Sequence, residues 1–164
     1  SNTYRHHMQT DLQAELKQTR PFRSQVEETM VALQRTAAVL EHAFECTLKD
    51  SGITATQYNV LRILRGAGEA GLCRSEVGER MVRRVPDVTR LLDRLEDTGL
   101  IARTRGDDRR FVTTRITPRG LEVLAELDTL VSGFLERHVG HLRPDQLTTL
   151  NALLSALRNP GHSR

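Results

Sequence analysis

The stretch from Cys73 to Ile116, CRSEVGERMVRRVPDVTRLLDRLEDTGLIARTRGDDRRFVTTRI, constrains the fold of this chain more than any other part of it. Cys73-Arg74-Ser75-Glu76 starts a short helix that reaches about Met81. A second helix is expected over residues 84–98, with Val88, Leu91, Leu92 and Leu95 at the three- and four-residue steps of one inward face. Gly99 then supplies the residue type that closes a helix in the left-handed conformation. Residues 100–105 and 111–116 are rich in β-branched side chains and flank a Gly106-to-Arg110 turn, the pattern of a hairpin. Two short helices on a tight connection, followed by a hairpin, is the order of a winged helix-turn-helix, whose second helix enters a DNA major groove.

The flanks are helical. Residues 11–17 suggest a short polar helix broken at Arg20-Pro21-Phe22, so 11–22 reads as an N-terminal extension. From Ser24 a long amphipathic helix begins, with Glu27 and Glu28 favouring its dipole and Asp50-Ser51-Gly52 ending it. Its apolar positions Val26, Met30, Leu33, Ala37, Leu40, Phe44 and Leu48 are spaced like a coiled-coil seam. Thr54-Ala55-Thr56-Gln57 is a capping box, opening a helix with Tyr58, Val60, Leu61, Ile63 and Leu64 that stops at Gly66-Ala67-Gly68. Thr117-Pro118 starts a helix to about His138, with Leu124, Leu127, Val131, Phe134 and Leu135 on its apolar side. A last helix begins near Pro144, carries Leu147, Leu150, Leu154 and Leu157, and ends at Asn159-Pro160-Gly161, leaving 159–164 as a tail. The expected fold is mainly α with a small β-hairpin: a winged helix-turn-helix over 54–116, flanked by helices over 24–50 and 117–158.

Composition narrows the function classes. The chain has 164 residues, 38% hydrophobic and 4% aromatic with no Trp, which suits helices packed through Leu, Val and Ala. A formal charge of +3 matters only if the positive side chains cluster. No run is apolar enough to span a membrane, no signal peptide opens the chain, and Ser1-Asn2 resembles a cleavage scar. Two cysteines, Cys46 and Cys73, make no disulfide framework, so a cytoplasmic location is expected. There is no phosphate-cradling Gly-rich loop, nucleophile elbow or paired catalytic acids, so neither an enzyme nor a cofactor is expected.

The charge does cluster on the second short helix and the hairpin. Arg83, Arg84, Asp87, Thr89, Arg90 and Arg94 fall on the outer side of that helix or at its start. Arg84 and Arg90 have forks suited to guanine or phosphate, Asp87 can accept from a cytosine amino group, and Pro86 and Thr89 can touch a thymine methyl. A merely solvated face would pair these charges with one another, Arg90 with Asp93 for example. The hairpin favours DNA. A tip that enters the minor groove needs a slim positive probe, and Asp108 can orient Arg110 by accepting from its guanidinium. Arg103, Arg105 and Arg109 would neutralise phosphates alongside, a salt-sensitive contribution.

The run RVPDVTRLLDRLEDTGLIARTRGDDRRFVTTRITPRG resembles the MarR (multiple antibiotic resistance regulator) family of bacterial transcription regulators. The resemblance rests on VTRLLDRLE followed by Gly99-Leu100, on Asp108-Arg109-Arg110 in the wing, and on the strand leading to Thr117, and TATQYNVLRIL upstream adds to it. It implies a homodimer in which the first long helix and the last two interlock, each subunit presenting one winged helix to half of a palindromic operator. It matches Arg110 to the arginine that enters the minor groove and Asp108 to the acid that orients it. The apolar faces of the terminal helices, too extensive for a small monomer's core, agree with dimerisation. Where the family often has small polar residues at the start of the reading helix, this chain has Arg83-Arg84-Val85-Pro86-Asp87, so the operator sequence does not follow by analogy.

The resemblance also implies control: a repressor released by a small aromatic or lipophilic ligand between the dimer helices and the winged helix. His42, Phe44, Tyr58 and Arg62 are the candidate lining, against ordinary packing for each. Cys73 stands where a Ser or Thr cap is expected, and a helix N-terminus lowers a thiol's pKa, so a redox-responsive regulator is one alternative. The plainer reading makes Cys73 a small half-buried cap residue and Cys46 a packing residue. An architectural DNA binder with no effector is the other alternative. His138 and His141 straddle a helix end with no further ligands to complete a metal set, so no metal is expected.

Overall fold

The computed structural model describes residues 11–105 and 112–161. By its internal contacts the chain divides into two compact units, Ser1–Ala43 and Phe44–Arg164.

In the first unit, α1 (Asp11–Glu15) is shorter than expected, ending ahead of Lys17, which takes a positive φ of 51°. α2 (Gln25–Leu48) begins in this unit. Arg35 on α2 donates from Nε to Glu15 Oε1 at 2.7 Å. Ser24 Oγ caps the Glu27 amide at 3.2 Å, and the acids Glu27 and Glu28 stand at the positive end of the helix. Of the expected α2 seam, Val26 is 80% and Met30 53% exposed.

In the second unit, the end of α2 is followed by α3 (Ala55–Ala67), α4 (Arg74–Arg80), α5 (Val88–Asp97), β1 (Ile101–Arg105), β2 (Val112–Ile116), α6 (Pro118–His138) and α7 (Pro144–Arg158). The Thr54–Gln57 capping box forms as read: Thr54 Oγ1 accepts from the Gln57 amide at 3.2 Å, and Gln57 Oε1 from the Thr54 amide at 3.0 Å. Leu48, Val60, Leu61, Leu64, Leu72, Val77, Leu92, Leu95, Ile101, Leu124 and Leu127 form one buried cluster. The helix-turn-helix is thereby built on α3 and α6 rather than standing alone.

Two close approaches fix the hairpin. β1 and β2 pair antiparallel from Ile101 opposite Ile116 to Arg105 opposite Val112. A third segment, absent from the sequence reading, joins them: Leu72 and Thr114 exchange N–H···O bonds of 3.0 and 2.8 Å. Gly71 makes this contact sterically feasible, since a Cβ there would lie 2.7 Å from Thr114 O and from the side chains of Thr113 and Arg115. At the other end, Thr117 caps α6 by accepting from the Gly120 amide at 3.0 Å. Gly120 lets that first turn sit against Leu100, whose carbonyl oxygen would be 2.2 Å from a Cβ at this position.

α6 buries Leu124, Leu127, Val131 and Phe134 as read, but Leu135 is 52% exposed. Leu135 lies four residues beyond Val131 and so on the same apolar face, as an uncovered continuation of the stripe. α7 has no buried residue at all.

Candidate nucleic-acid interface

The reading helix is shorter at its start than the sequence suggested. α5 begins at Val88, with Asp87 as N-cap: its Oδ1 accepts from the Arg90 amide at 2.9 Å. Pro86 explains the shift, because the residue before a proline is driven out of the α region, and no helix runs through Val85. Arg83, Arg84 and Pro86 therefore sit exposed on the connection between α4 and α5. One Asp87 oxygen is committed to capping rather than offered to a cytosine. The connection is itself held in place, with the Val82 amide donating to Asn59 Oδ1 of α3 at 2.9 Å. The two helices meet where Gly78 passes Val88; a Cβ on Gly78 would lie 3.3 Å from Val88 Cγ2.

The C-terminus of α5 closes as a Schellman turn. The Gly99 amide donates to Glu96 O at 2.8 Å and the Leu100 amide to Leu95 O at 3.0 Å, with Gly99 at φ 74°. This turn aims β1 back along the helix it has just left.

α5 buries Leu92 and Leu95 and exposes Thr89, Arg90 and Arg94. No ion pair ties Arg84, Arg90 or Arg94 to an acid among the described residues, so the Arg90–Asp93 pair that a merely solvated face would make is not formed. Thr89 has an unforeseen neighbour: Arg74, at the start of α4, donates from Nη1 to its hydroxyl at 3.2 Å.

Arg103 departs from the expectation of a phosphate-neutralising side chain. Its Nε donates to Glu96 Oε2 at 2.8 Å and its Nη2 to Asp93 Oδ1 at 2.6 Å and again to Glu96 Oε2, while its own amide donates to Glu96 Oε1 at 3.0 Å. The Arg103 side chain is only 24% exposed, and its guanidinium bonds two carboxylates of the reading helix. Hydrogen bonding from Arg103 holds the Glu96 carboxyl below its usual range, and Glu96 in turn raises the Arg103 pKa. The sequence does contain a signal for this contact: Glu96 stands three residues before the Gly99 reversal and Arg103 four after it. Arg105, at the end of β1, is exposed. Asp108, Arg109 and Arg110, with the rest of the 106–111 tip, lie outside the described residues.

Of the candidate effector residues, the structure brings three together. The Phe44 ring meets Tyr58 edge-on at 5.7 Å and Phe134 at 5.0 Å, and the Arg62 guanidinium lies 5.9 Å from the Tyr58 ring centre. Phe134 and His138 extend the cluster, with rings 4.6 Å apart. The sequence reading used Phe134 only for packing and His138 only as a metal candidate. The Tyr58 hydroxyl donates to Asp128 at 3.3 Å, and Arg65 pairs with the same carboxylate. Burial raises the Tyr58 pKa, keeping the phenol neutral. His42 is exposed on α2 in the first unit.

Cys73 is half-buried at the N-cap of α4, its amide donating to Glu76 Oε2 at 2.7 Å and its sulfur 3.0 Å from Ser75 Oγ. Cys46 is exposed, not the packing residue expected, because it sits between the stripe positions Phe44 and Leu48. Among the described residues no three His, Cys, Asp or Glu side chains gather as metal ligands, and no helix is long and apolar enough to cross a membrane.

A short helix locked against a second, an exposed arginine face on that second helix, and a hairpin clamped to its flank define a winged helix-turn-helix DNA-binding protein. Comparison with known proteins agrees. The MarR family model matches residues 53–112. The chain is 36% identical to a MarR transcription factor from Planctomyces limnophilus, covering 82% of this chain and 98% of that one with a TM-score of 0.65. It is 35% identical over 94 residues to the HTH-type transcriptional repressor MdtR of Bacillus subtilis (strain 168), 54% of this chain and 59% of that protein. BpsR of Bordetella bronchiseptica is 25% identical, with 85% and 99% of the two chains covered and a TM-score of 0.73. The chain belongs to the MarR family: it is a DNA-binding transcription regulator, not an enzyme.

Proposed function

We propose that this protein is a homodimeric repressor that reads a palindromic operator and is released by a small aromatic or lipophilic ligand. The observation that carries the DNA half is the split face of α5, where Leu92 and Leu95 are buried while Thr89, Arg90 and Arg94 face outward without an acidic partner among the described residues. Arg84 and Pro86, exposed on the connection before the helix, extend this surface toward the major groove, and Arg83 lies beside them. From the sequence, Arg110 oriented by Asp108 is the minor-groove probe, and Arg105 and Arg109 face phosphates.

The dimer is supported by the apolar side chains left uncovered: Val26 and Met30 on α2, and on α7 Leu150, Leu153 and Leu157, between 41% and 60% exposed. A second copy burying these helices, within 24–50 and 117–158, forms a two-fold assembly, and two-fold symmetry in the protein calls for palindromy in the DNA. The release half is supported by the Phe44–Tyr58–Phe134–His138 aromatic cluster with Arg62 at its edge. BpsR, whose DNA binding is regulated by 6-hydroxynicotinic acid, offers a parallel. Repression of this kind operates where the chromosome lies, in the bacterial cytoplasm.

The test is fluorescence anisotropy with a labelled duplex from upstream of the protein's own gene, beside a scrambled duplex, across a salt series. Sequence-selective binding that weakens steeply with salt, and weakens further in Arg90→Ala and Arg110→Ala, supports the reading. Equal weak binding to both duplexes, indifferent to either arginine, would overturn it. A panel of aromatic carboxylates added to the specific complex then tests release.

A further inference from the structure

Resting on the DNA-reading face just described, we propose that Glu96, an acid on the reading helix, is required for DNA binding because it and Asp93 hold the wing through Arg103. Helix and wing must reach adjacent grooves of one duplex together. The covalent path between them is the Thr98-Gly99-Leu100 reversal, and the Leu72 bridge and the approach of α6 hold the hairpin at Thr114 and Leu100 without tying β1 to the outer side of α5. Glu96 supplies what the reversal lacks. One of its oxygens accepts from the Arg103 amide at 3.0 Å and the other from the Arg103 Nε at 2.8 Å, so a single carboxylate grips both the backbone and the side chain of β1.

Asp93, one turn earlier on α5, takes the other end of the same guanidinium at 2.6 Å. Three points of attachment on one helix face fix rotation as well as distance. On the far side of the hairpin, Arg115 of β2 donates to Glu69 O at 2.6 Å and to Thr104 Oγ1 at 2.8 Å, tying the second strand to its neighbours. Arg103 and Arg115 are thus struts, distinct from the reading arginines Arg84, Arg90 and Arg94. Glu96 and Arg103 are positioning residues and touch no base.

Simple electrostatics predicts the opposite sign for Glu96. An acid on a helix facing a polyanion opposes binding, so its removal should tighten the complex. The experiment measures anisotropy of the specific duplex with wild type, Glu96→Gln, Glu96→Ala, Arg103→Lys and Arg103→Ala across a salt series, with thermal melts to confirm that each variant is folded. We expect Glu96→Gln and Glu96→Ala to weaken binding, the latter by roughly tenfold, equivalent to about 1.4 kcal/mol. Arg103→Ala should weaken binding as much while leaving the salt slope at the wild-type value, since no phosphate contact is lost. Arg103→Lys, which keeps the charge but gathers its donors on one nitrogen and so loses the separate Nε bond to Glu96, should recover less than half of the loss in binding free energy.

The clamp is overturned if folded Glu96→Ala binds as tightly as wild type or tighter. It is equally overturned if Arg103→Ala lowers the salt slope by about one phosphate and Arg103→Lys restores it. A Glu96→Ala variant that does not fold passes the decision to Glu96→Gln, which is close to isosteric. Wild-type protein with no salt-dependent selective binding would instead remove the DNA-reading proposal on which the clamp depends.

Discussion

Two glycines on α6 should respond to the same substitution with opposite signs. Gly133 is exposed in mid-helix, and a Cβ there meets nothing within 4 Å, so Gly133→Ala should gain the helix propensity of alanine, about 0.8–1.0 kcal/mol. Gly120→Ala would gain a comparable amount from propensity, but its Cβ must go where Leu100 O already lies, 2.2 Å away, with Ile116 Cγ1 at 2.7 Å. Even a close C–H···O contact needs about 3.3 Å, so the strand or the helix must retreat by roughly 1 Å. Overpacking of this kind costs about 1–3 kcal/mol. The retreat also loosens the 3.0 Å bond from the Thr117 amide to Leu100 O, worth a further ~1 kcal/mol. The net expectation is a loss of about 2 kcal/mol, which at an m-value of ~2 kcal/mol/M lowers the urea midpoint by about 1 M. Urea titrations followed by circular dichroism, at one fixed protein concentration, measure both variants against wild type. If Gly120→Ala proved as stable as Gly133→Ala, the close approach of α6 to the hairpin would be refuted.

Three further outcomes follow from the same packing. Glu96 has a folded-state pKa depressed by Arg103, so its contribution is complete above the carboxylate's unfolded value near ~4.3 and is lost as the pH falls through the folded value. The acid limb of stability against pH should accordingly be shallower in Glu96→Gln, as read by urea midpoints at a series of acidic pH values, and identical limbs would contradict the pairing. Leu153 on α7 is 60% exposed, so in an isolated chain Leu153→Glu should cost within about 0.5 kcal/mol, whereas burial against a second copy makes it disruptive. Sedimentation equilibrium decides: a shift toward monomer supports the dimer, and an unchanged mass removes α7 from its interface. Leu64, fully buried between α3 and the rest of the core, should cost about 2–5 kcal/mol as Leu64→Ala, and a smaller change in chemical denaturation would mean the site collapses readily.

What could be read from the residues depended on whether the determining interaction was local. Caps, stops and stripes are local, so the Thr54 box, the Thr117-Pro118 start and the Gly99 reversal all stand where the sequence put them. Pro86 is also local, and its restriction on Val85 accounts for the start of the reading helix at Val88. The Leu72 bridge was not legible, because one paired residue has no period; its trace is Gly71, whose missing Cβ makes room for β2. The arginines mark the boundary most sharply. Arg90 and Arg103 are the same residue type, thirteen positions apart on neighbouring elements, and composition assigns both to DNA. The fold separates them: Arg103 returns past the Schellman turn to Glu96 and Asp93, while among the described residues Arg90 has only its amide engaged, donating to Asp87. Arg103 therefore belongs to an ion cluster that a count of positive charges assigns to phosphate. A basic side chain in such a motif contributes to affinity either by meeting the phosphates or by aiming the elements that do, and the number of acids within its reach distinguishes the two.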